Sequence, residues 1–493
     1  MDVPVAESAL AIPMAYNSQT ENPSRYQKRQ TSYLYPSQSG DLLSSNGTMI
    51  YRFLVGSSHF LDCKKSYFSF VAQITTAIGS NTAYFTSNTN TWIKRILIST
   101  ASGIAIEEIK DQNIIASVLN LEMEDSYAES VGSESLAMWD RSYRTPTATY
   151  TPATVSPLLT GTLTPAQKEK LSYQPNRYVL TLDSSGFLNS FNYLPLAALS
   201  QGNSNGFQIE LEFASANECI VAYGANYGTN APAVPFNYKV SNCYFVQSLL
   251  VDEMKEQEIL QLIKETPIIL SFNTHRHFSN QINGSSSQHT ISISEFQEQV
   301  QDIKFVFRDN AHINLQQFDS TKFVNPNLKQ VQIQVGPTYF PSQPMVVGSS
   351  VDGDTSTYSL PVMGEMYNEY VKTCQKIKKY NYGFENNVNM DIVDLDTTLN
   401  VVLNSKDYQS MVVPFDFRIF GDDAVGDPRY NQYFSGLNLK ANPQPIQFIF
   451  TLDNGYKNLL TNEAITAITY KVDSFTTYRN NIVVQAGQVY VIA

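Results

Sequence analysis

FQIELEF, at Phe207–Phe213, puts Phe207, Ile209, Leu211 and Phe213 on one side of an extended chain and Gln208, Glu210 and Glu212 on the other. Side chains alternate between faces along a strand, so the heptapeptide reads as a strand with one buried face. IQFIFTL, at Ile446–Leu452, repeats the device, and nearly the same four letters follow each: YKVS at Tyr238–Ser241 and YKVD at Tyr470–Asp473. Chance supplies many four-letter matches. Whether the chain repeats itself depends on the order of the surrounding elements.

Alternation of period two dominates that order. Phe68, Phe70, Ala72 and Ile74 interleave with Ser69, Val71, Gln73 and Thr75, and Met49–Val55, Thr91–Ser99 and Arg177–Leu182 read the same way. Past residue 265 the pattern resumes at Ile268–Thr274, Ile303–Arg308 and Val331–Val335. It continues through Val413, Phe415, Phe417 and Ile419, then Ile446–Leu452, Ile468–Phe475 and Ile482–Ile492. Many short strands split by polar loops bearing Gly and Pro indicate β-sandwiches.

Three helices interrupt the strands. Ile114, Ile115, Val118 and Leu119 share a face of Asp111–Met123; Met363, Met366, Tyr367, Tyr370, Val371 and Cys374 share one of Val362–Ile377. The third, DEMKEQEILQLIKE at Asp252–Glu265, is charged, stops before Pro267 and lies between the strand-rich halves as a connector. Each half has early strands, an amphipathic helix, a long loop, further strands and finally the FQIELEF…YKVS or IQFIFTL…YKVD pair. Matched order implies a duplicated β domain. The expected division is an arm over 1–44, a first sandwich over 45–252, the connecting helix over 253–265 and a second sandwich over 266–493. YKVS and YKVD then open the last long strand of each copy, and Tyr238 and Tyr470 occupy equivalent places.

Composition narrows the function. Of 493 residues only 16% are charged, against about 25% in typical domains, while Tyr (30) and Phe (27) abound. A Tyr-rich, charge-poor surface suits protein contacts, where Lys and Glu are depleted. A net charge of −12 argues against nucleic-acid binding, whose footprint is basic. No run reaches the roughly 20 apolar residues of a membrane span. The first residues lack the basic start and apolar run of a secretory signal, and Asp2 stands where myristoylation needs glycine. Cys63, Cys219, Cys243 and Cys374 show no CxxC spacing and read as reduced, buried thiols; the sequons at Asn46 and Asn283 then carry no glycan.

Two sandwiches of this size, each with one helix and long insertions, fit the jelly roll. The sequence resembles the double jelly-roll major capsid proteins of eukaryotic DNA viruses, in the virophage, polinton and adintovirus branch. The likeness is carried by SSNGTMIYRFLVGSSHFLDCKKSYFSF (Ser44–Phe70), YLPLAAL (Tyr193–Leu199) and YKVSNCYFVQSLLVDE (Tyr238–Glu253), with DYQSMVVPFDFRIFGDD (Asp407–Asp423) in the second half. It implies an all-β chain of two tandem jelly rolls with a few short helices and long loops. It also implies homotrimers forming pseudo-hexagonal capsomers in an icosahedral shell around DNA, with neighbouring capsomers, penton and minor capsid proteins as partners. The location implied is the virion, assembled inside the host cell. In such a protein Tyr143–Pro165 and Tyr223–Phe236 would be outward insertions, and the arm, with its basic RYQKRQ at Arg25–Gln30, would run along neighbours or inside the shell.

Enzymatic readings fare worse. FGDD at Phe420–Asp423, downstream of Asp391 and Asp396, imitates polymerase metal aspartates but leaves little room for the intervening helix. VDGDTSTY at Val351–Tyr358 begins like a calcium loop, yet Met363 stands where a bidentate Glu is needed. THRH at Thr274–His277 puts His275 and His277 on one strand face, a metal pair wanting a third ligand or, more simply, a solvated or inter-subunit pair. GxSxG, HExxH and GxxxxGK[ST] are absent. No catalytic, cofactor-binding or metal residue is nominated, and a non-enzymatic protein is expected. The rival class is a carbohydrate-binding or glycan-cleaving β-sandwich, because fold alone does not decide function.

Overall fold

In the computed structural model the chain is described over residues 28–120, 176–373, 411–418, 436–458 and 469–492. Short breaks fall at 39–41, 44–46, 54–58, 77–81, 87, 190–192, 200–205, 224–233, 317–319, 322, 327, 351–357, 362–363, 441–443, 453–456 and 486–487. In chain order the first half comprises β1 (Lys28–Leu34), β2 (Thr48–Phe53), β3 (His59–Asp62), β4 (Tyr67–Ile74), β5 (Ile93–Thr100), β6 (Ala105–Lys110), α1 (Gln112–Asn120) and β7 (Asn176–Leu180). A one-turn helix α2 (Gly186–Asn189), β8 (Tyr193–Pro195), β9 (Phe207–Phe213) and β10 (Tyr238–Val251) follow, with shorter pieces between them, among them the paired strands Thr82–Phe85 and Ile220–Tyr223. Helix α3 (Glu253–Glu265) follows, its N-terminus capped by Asp252, whose side chain accepts from the Lys255 N–H at 3.0 Å.

The second half comprises β11 (Ile268–Asn283), β12 (Gln288–Ile293), β13 (Val300–Asp309), β14 (Leu328–Val335), β15 (Thr338–Val346), α4 (Gly364–Thr373), β16 (Val412–Asp416), β17 (Ile446–Leu452), β18 (Thr469–Gln485) and β19 (Gln488–Ile492). It forms one sheet in the order β11-β18-β13-β16, with β19 added to β18, and another in the order β12-β17-β14-β15. The first half repeats both. β10 is central to one sheet, with β1 along one side and β3 and β4 along the other, and with β8 and β7 outside those; the opposing sheet runs β2-β9-β5-β6. Helix α1 follows β6 directly, and α4 follows the corresponding β15 after two short strands, Gly348–Ser350 and Tyr358–Pro361. This is the all-β double jelly roll with a few short helices.

The alternating heptapeptides lie in equivalent inner strands, each buried at every second residue. Phe207 stacks on Phe53 at 4.2 Å between ring centroids, and Phe448 stacks on Phe305 at 3.8 Å. Burying such a side chain contributes roughly 1.5–3 kcal/mol. Tyr238 faces Ile74, the last residue of β4, and Tyr470 faces Asp309, the last residue of the matching β13. Both rings are buried, so YKVS and YKVD do open equivalent strands.

Three expectations change. Lys28–Leu34, inside the stretch read as an arm, is a sheet strand paired with β10 from Lys28↔Val251 to Leu34↔Phe245, and Leu42–Leu43 pairs with it further on. Most of KRQTSYL is exposed, so no apolar alternation announces it; the backbone ladder and the Arg29–Asp62 ion pair hold it in place. The strand begun at Ile268 runs to Asn283 rather than stopping at Thr274. The two strands read at 468–475 and 482–492 are one strand, β18, followed by β19.

Candidate assembly surfaces

The two sandwiches meet through a row of alternating charges. Asp473, the fourth letter of YKVD, is wholly buried and lies on the opposite face of β18 from Tyr470 and Val472. Arg308 of β13 donates to its Oδ2 from Nε at 2.8 Å and Nη2 at 2.7 Å. Its Oδ1 lies 2.8 Å from His277 Nε2, while His277 Nδ1 lies 2.8 Å from Asp111 Oδ2 in the first half. Lys94 extends the row, 2.7 Å from Asp111 Oδ1 and 2.5 Å from Glu218 Oε1. Arg308, Asp473, His277, Asp111, Lys94 and Glu218 thus alternate in sign from one sandwich to the other.

With an acceptor carboxylate on each ring nitrogen, His277 is held as an imidazolium, since only that form donates twice. Burial pulls its pKa down, but the hydrogen bonds and charges of Asp111 and Asp473 outweigh burial, and the net shift is upward. Burial pushes the Asp473 pKa up, yet the Arg308 guanidinium and His277 reverse this and bring it to about 2. Asp111 falls below the usual carboxylate range, its burial overcome by His277 and Lys94. Its backbone is left-handed, at φ 49°, a region Asp tolerates better than most residues; there it links β6 to α1. Ion pairing compensates the buried members, Asp473, Arg308 and His277, while Asp111 and Lys94 keep partial contact with solvent.

A second contact lies beside it. Glu107 is buried and accepts from Ser185 Oγ at 2.5 Å and from the Gly186 N–H at 2.9 Å; burial pushes its pKa up. Gly186 packs so close to β11 that a Cβ there would sit 1.4 Å from the Asn273 carbonyl oxygen. Phe187 meets Phe272 edge-on at 5.5 Å, and Asn480 Nδ2 donates to the Ile106 carbonyl at 3.1 Å.

Of the histidine pair, His277 is not solvated, whereas His275 is half-buried. His277 is an intrachain bridge, its side chain 5% exposed and stacked on Phe475, and His275 Nδ1 lies 3.2 Å from Thr477 Oγ1. Among the described residues no group of three His, Cys, Asp or Glu could hold a metal ion. Cys63, Cys219 and Cys243 are buried free thiols, Cys63 with a pKa pushed up to about 12 by burial and by the charge of Asp62. Cys374, the FGDD aspartates with Asp391 and Asp396, the loop 143–165, residues 224–233 of the other insertion and residues 351–357 of VDGDTSTY lie outside the described residues. The charged row escaped sequence reasoning. Its signals were His277 within THRH and the unequal fourth letter, Ser241 in one repeat and Asp473 in the other.

The corresponding face of the first sandwich carries aromatic side chains. Tyr33 and Tyr35 are 59% and 67% exposed and meet Tyr244 edge-on at 5.4 and 6.2 Å. Arg177 lies over the Tyr244 ring, 5.1 Å from its centroid. Among the described residues no helix is long and apolar enough to cross a membrane.

No family model matches the chain. No curated protein matches it either. Solved structures do. VP54 of PBCV-1, fitted into a cryo-EM reconstruction of the virophage Sputnik, aligns over 97% of this chain and 99% of its own with a TM-score of 0.55 at 10% identity. The Faustovirus major capsid protein aligns over 95% of this chain and 92% of its own, at a TM-score of 0.55 and 9% identity. A chain of the Sputnik virophage structure aligns over 94% and 88%, at 0.51 and 11%. The fold found here is thus the double jelly roll of virophage and other eukaryotic DNA-virus major capsid proteins.

Proposed function

We propose that this chain is a major capsid protein whose homotrimers form pseudo-hexagonal capsomers of an icosahedral shell around a DNA genome. The observation that carries the reading is the repeat itself. One chain holds two sandwiches of the same strand order, and a capsid protein matches it over 97% of its length. Two similar sandwiches per chain and three chains per ring make six similar walls, so hexagonal tiling needs only threefold symmetry. The sandwiches divide at α3, the first taking in β1. Partners are other copies, neighbouring capsomers, and penton and minor capsid proteins in a virion built inside the host cell. The role is structural, without catalysis or a cofactor.

Light scattering on the purified protein, with electron micrographs, tests this. Trimers of near-hexagonal outline are expected. A persistent 55.3 kDa monomer that binds glycans would overturn the reading.

A further inference from the structure

The junction inside one chain is a template for a contact between chains. Strand β6 of the first sandwich lies against β11 of the second, with Ile106 bonded to Asn480 of β18 and Asp111 to His277 of β11. The strand pair β11–β18 is therefore covered by β6 and the residue that follows it. By strand order the counterpart of β11–β18 in the first sandwich is β1–β10, and the counterpart of β6 in the second is β15.

Among the described residues neither counterpart is covered by the other sandwich; β15 meets only its own half, through α4 and Phe417. β1 is exposed along most of its length and, with β10, presents Tyr33 and Tyr244, Tyr35 lying just beyond it. β15, TYFPSQPMV, has no charged residue and is exposed at seven of its nine positions; Tyr339 is 45% and Val346 39% exposed. β15 also ends its sheet, so its outer edge faces away from its own ladder, although the Val346 N–H there is taken by Glu365. Uncharged edge strands and clustered tyrosines are the surfaces that association covers.

We infer that β15 of one copy packs on β1 and the Tyr33–Tyr244 face of a second copy, repeating between chains the contact of β6 with β11 within one. The contact is heterologous, head to tail, and so generates a ring when its rotation closes. The inference rests on the trimer reading and adds which surfaces meet.

The test places a photoreactive benzoylphenylalanine at position 33 of the full-length protein, irradiates trimers isolated by size and maps the adducts by mass spectrometry. Inter-chain adducts carrying residues 338–346 are expected. Adducts confined to another segment, or none in a preparation that scattering shows to be trimeric, overturn the inference and leave the trimer reading intact. A wild-type protein that never trimerises overturns both. Independently, Tyr339→Asp should weaken trimerisation at least about tenfold, the scale of one buried interface aromatic, with far-UV circular dichroism unchanged. Tyr490→Asp, equally exposed on β19, should leave it unchanged; equal effects of the two also overturn the inference.

Discussion

Asp473 shows what one carboxylate does in a duplicated fold. In the first repeat the same place holds Ser241, which is half-buried and belongs to none of the charged row. In the second, the strand's outer face is covered by the other sandwich, and a buried anion there requires Arg308 and His277. Asp473→Ala should cost about 3–5 kcal/mol in urea unfolding, because it leaves the buried Arg308 unpaired and His277 with Asp111 alone. Arg308→Met with Asp473→Leu should cost less than the single change, since both charges leave together. The pH dependence follows from the directions of the shifts. His277 has a raised pKa, so its contribution is complete below the unfolded value of about 6.5 and is lost as pH rises through the folded value. Asp111 and Asp473 have lowered values; theirs holds above the unfolded value of about 3.9 and is lost as pH falls, for Asp473 through about 2. The stability gap between wild type and His277→Gln, from denaturant melts at several pH values, should be widest near pH 5–6 and narrow toward alkali. A flat gap would refute the imidazolium assignment.

Elements differ in how plainly their sequences announce them. β9 and β17 are legible because one face is buried in apolar packing and the other is not, so the alternation is written in the residues. β1 is invisible for the opposite reason: KRQTSYL has little to bury, and its order comes from hydrogen bonds to β10, which no local pattern records. The far half of β11, THRHFSNQIN, shows no apolar alternation because most of it is polar and partly exposed, with only Phe278 and Ile282 reaching the second core. The charged row could not be assembled from sequence, since its members come from both halves and only folding unites them. α2 shows the same dependence on distant partners. Gly186 is small because the β11 backbone lies where its Cβ would be, and its own conformation does not demand glycine. Gly186→Ala should therefore lower stability by about 1–3 kcal/mol through forced separation of the sandwiches, read as a shift in melting temperature.

Taken whole, the molecule is less divisible than its repeat suggests. One hydrophobic cluster runs from Phe70, Trp92 and Phe207 of the first sandwich through Ile259 and Ile263 of α3 to Leu270, Phe272, Val306, Phe475 and Ile482 of the second. A second cluster, centred on Phe305, Phe448 and Phe450, belongs to the second sandwich alone. β11 and β18 explain the asymmetry: they run on past their own sandwich, and their ends, at Ile268, Leu270, Ile482 and Val484, join the core of the first. Independent domains joined by a linker would bury two separate cores and melt separately. Here the shared cluster and the charged row both break if either half opens. Scanning calorimetry of the monomeric protein should accordingly give one transition, with calorimetric and van't Hoff enthalpies in agreement. Two resolved transitions, or a first half ending at Val251 that folds alone with native stability, would show that the shared core contributes little to coupling the sandwiches. Such coupling means that strain applied to one sandwich is carried by the other rather than taken up at a hinge.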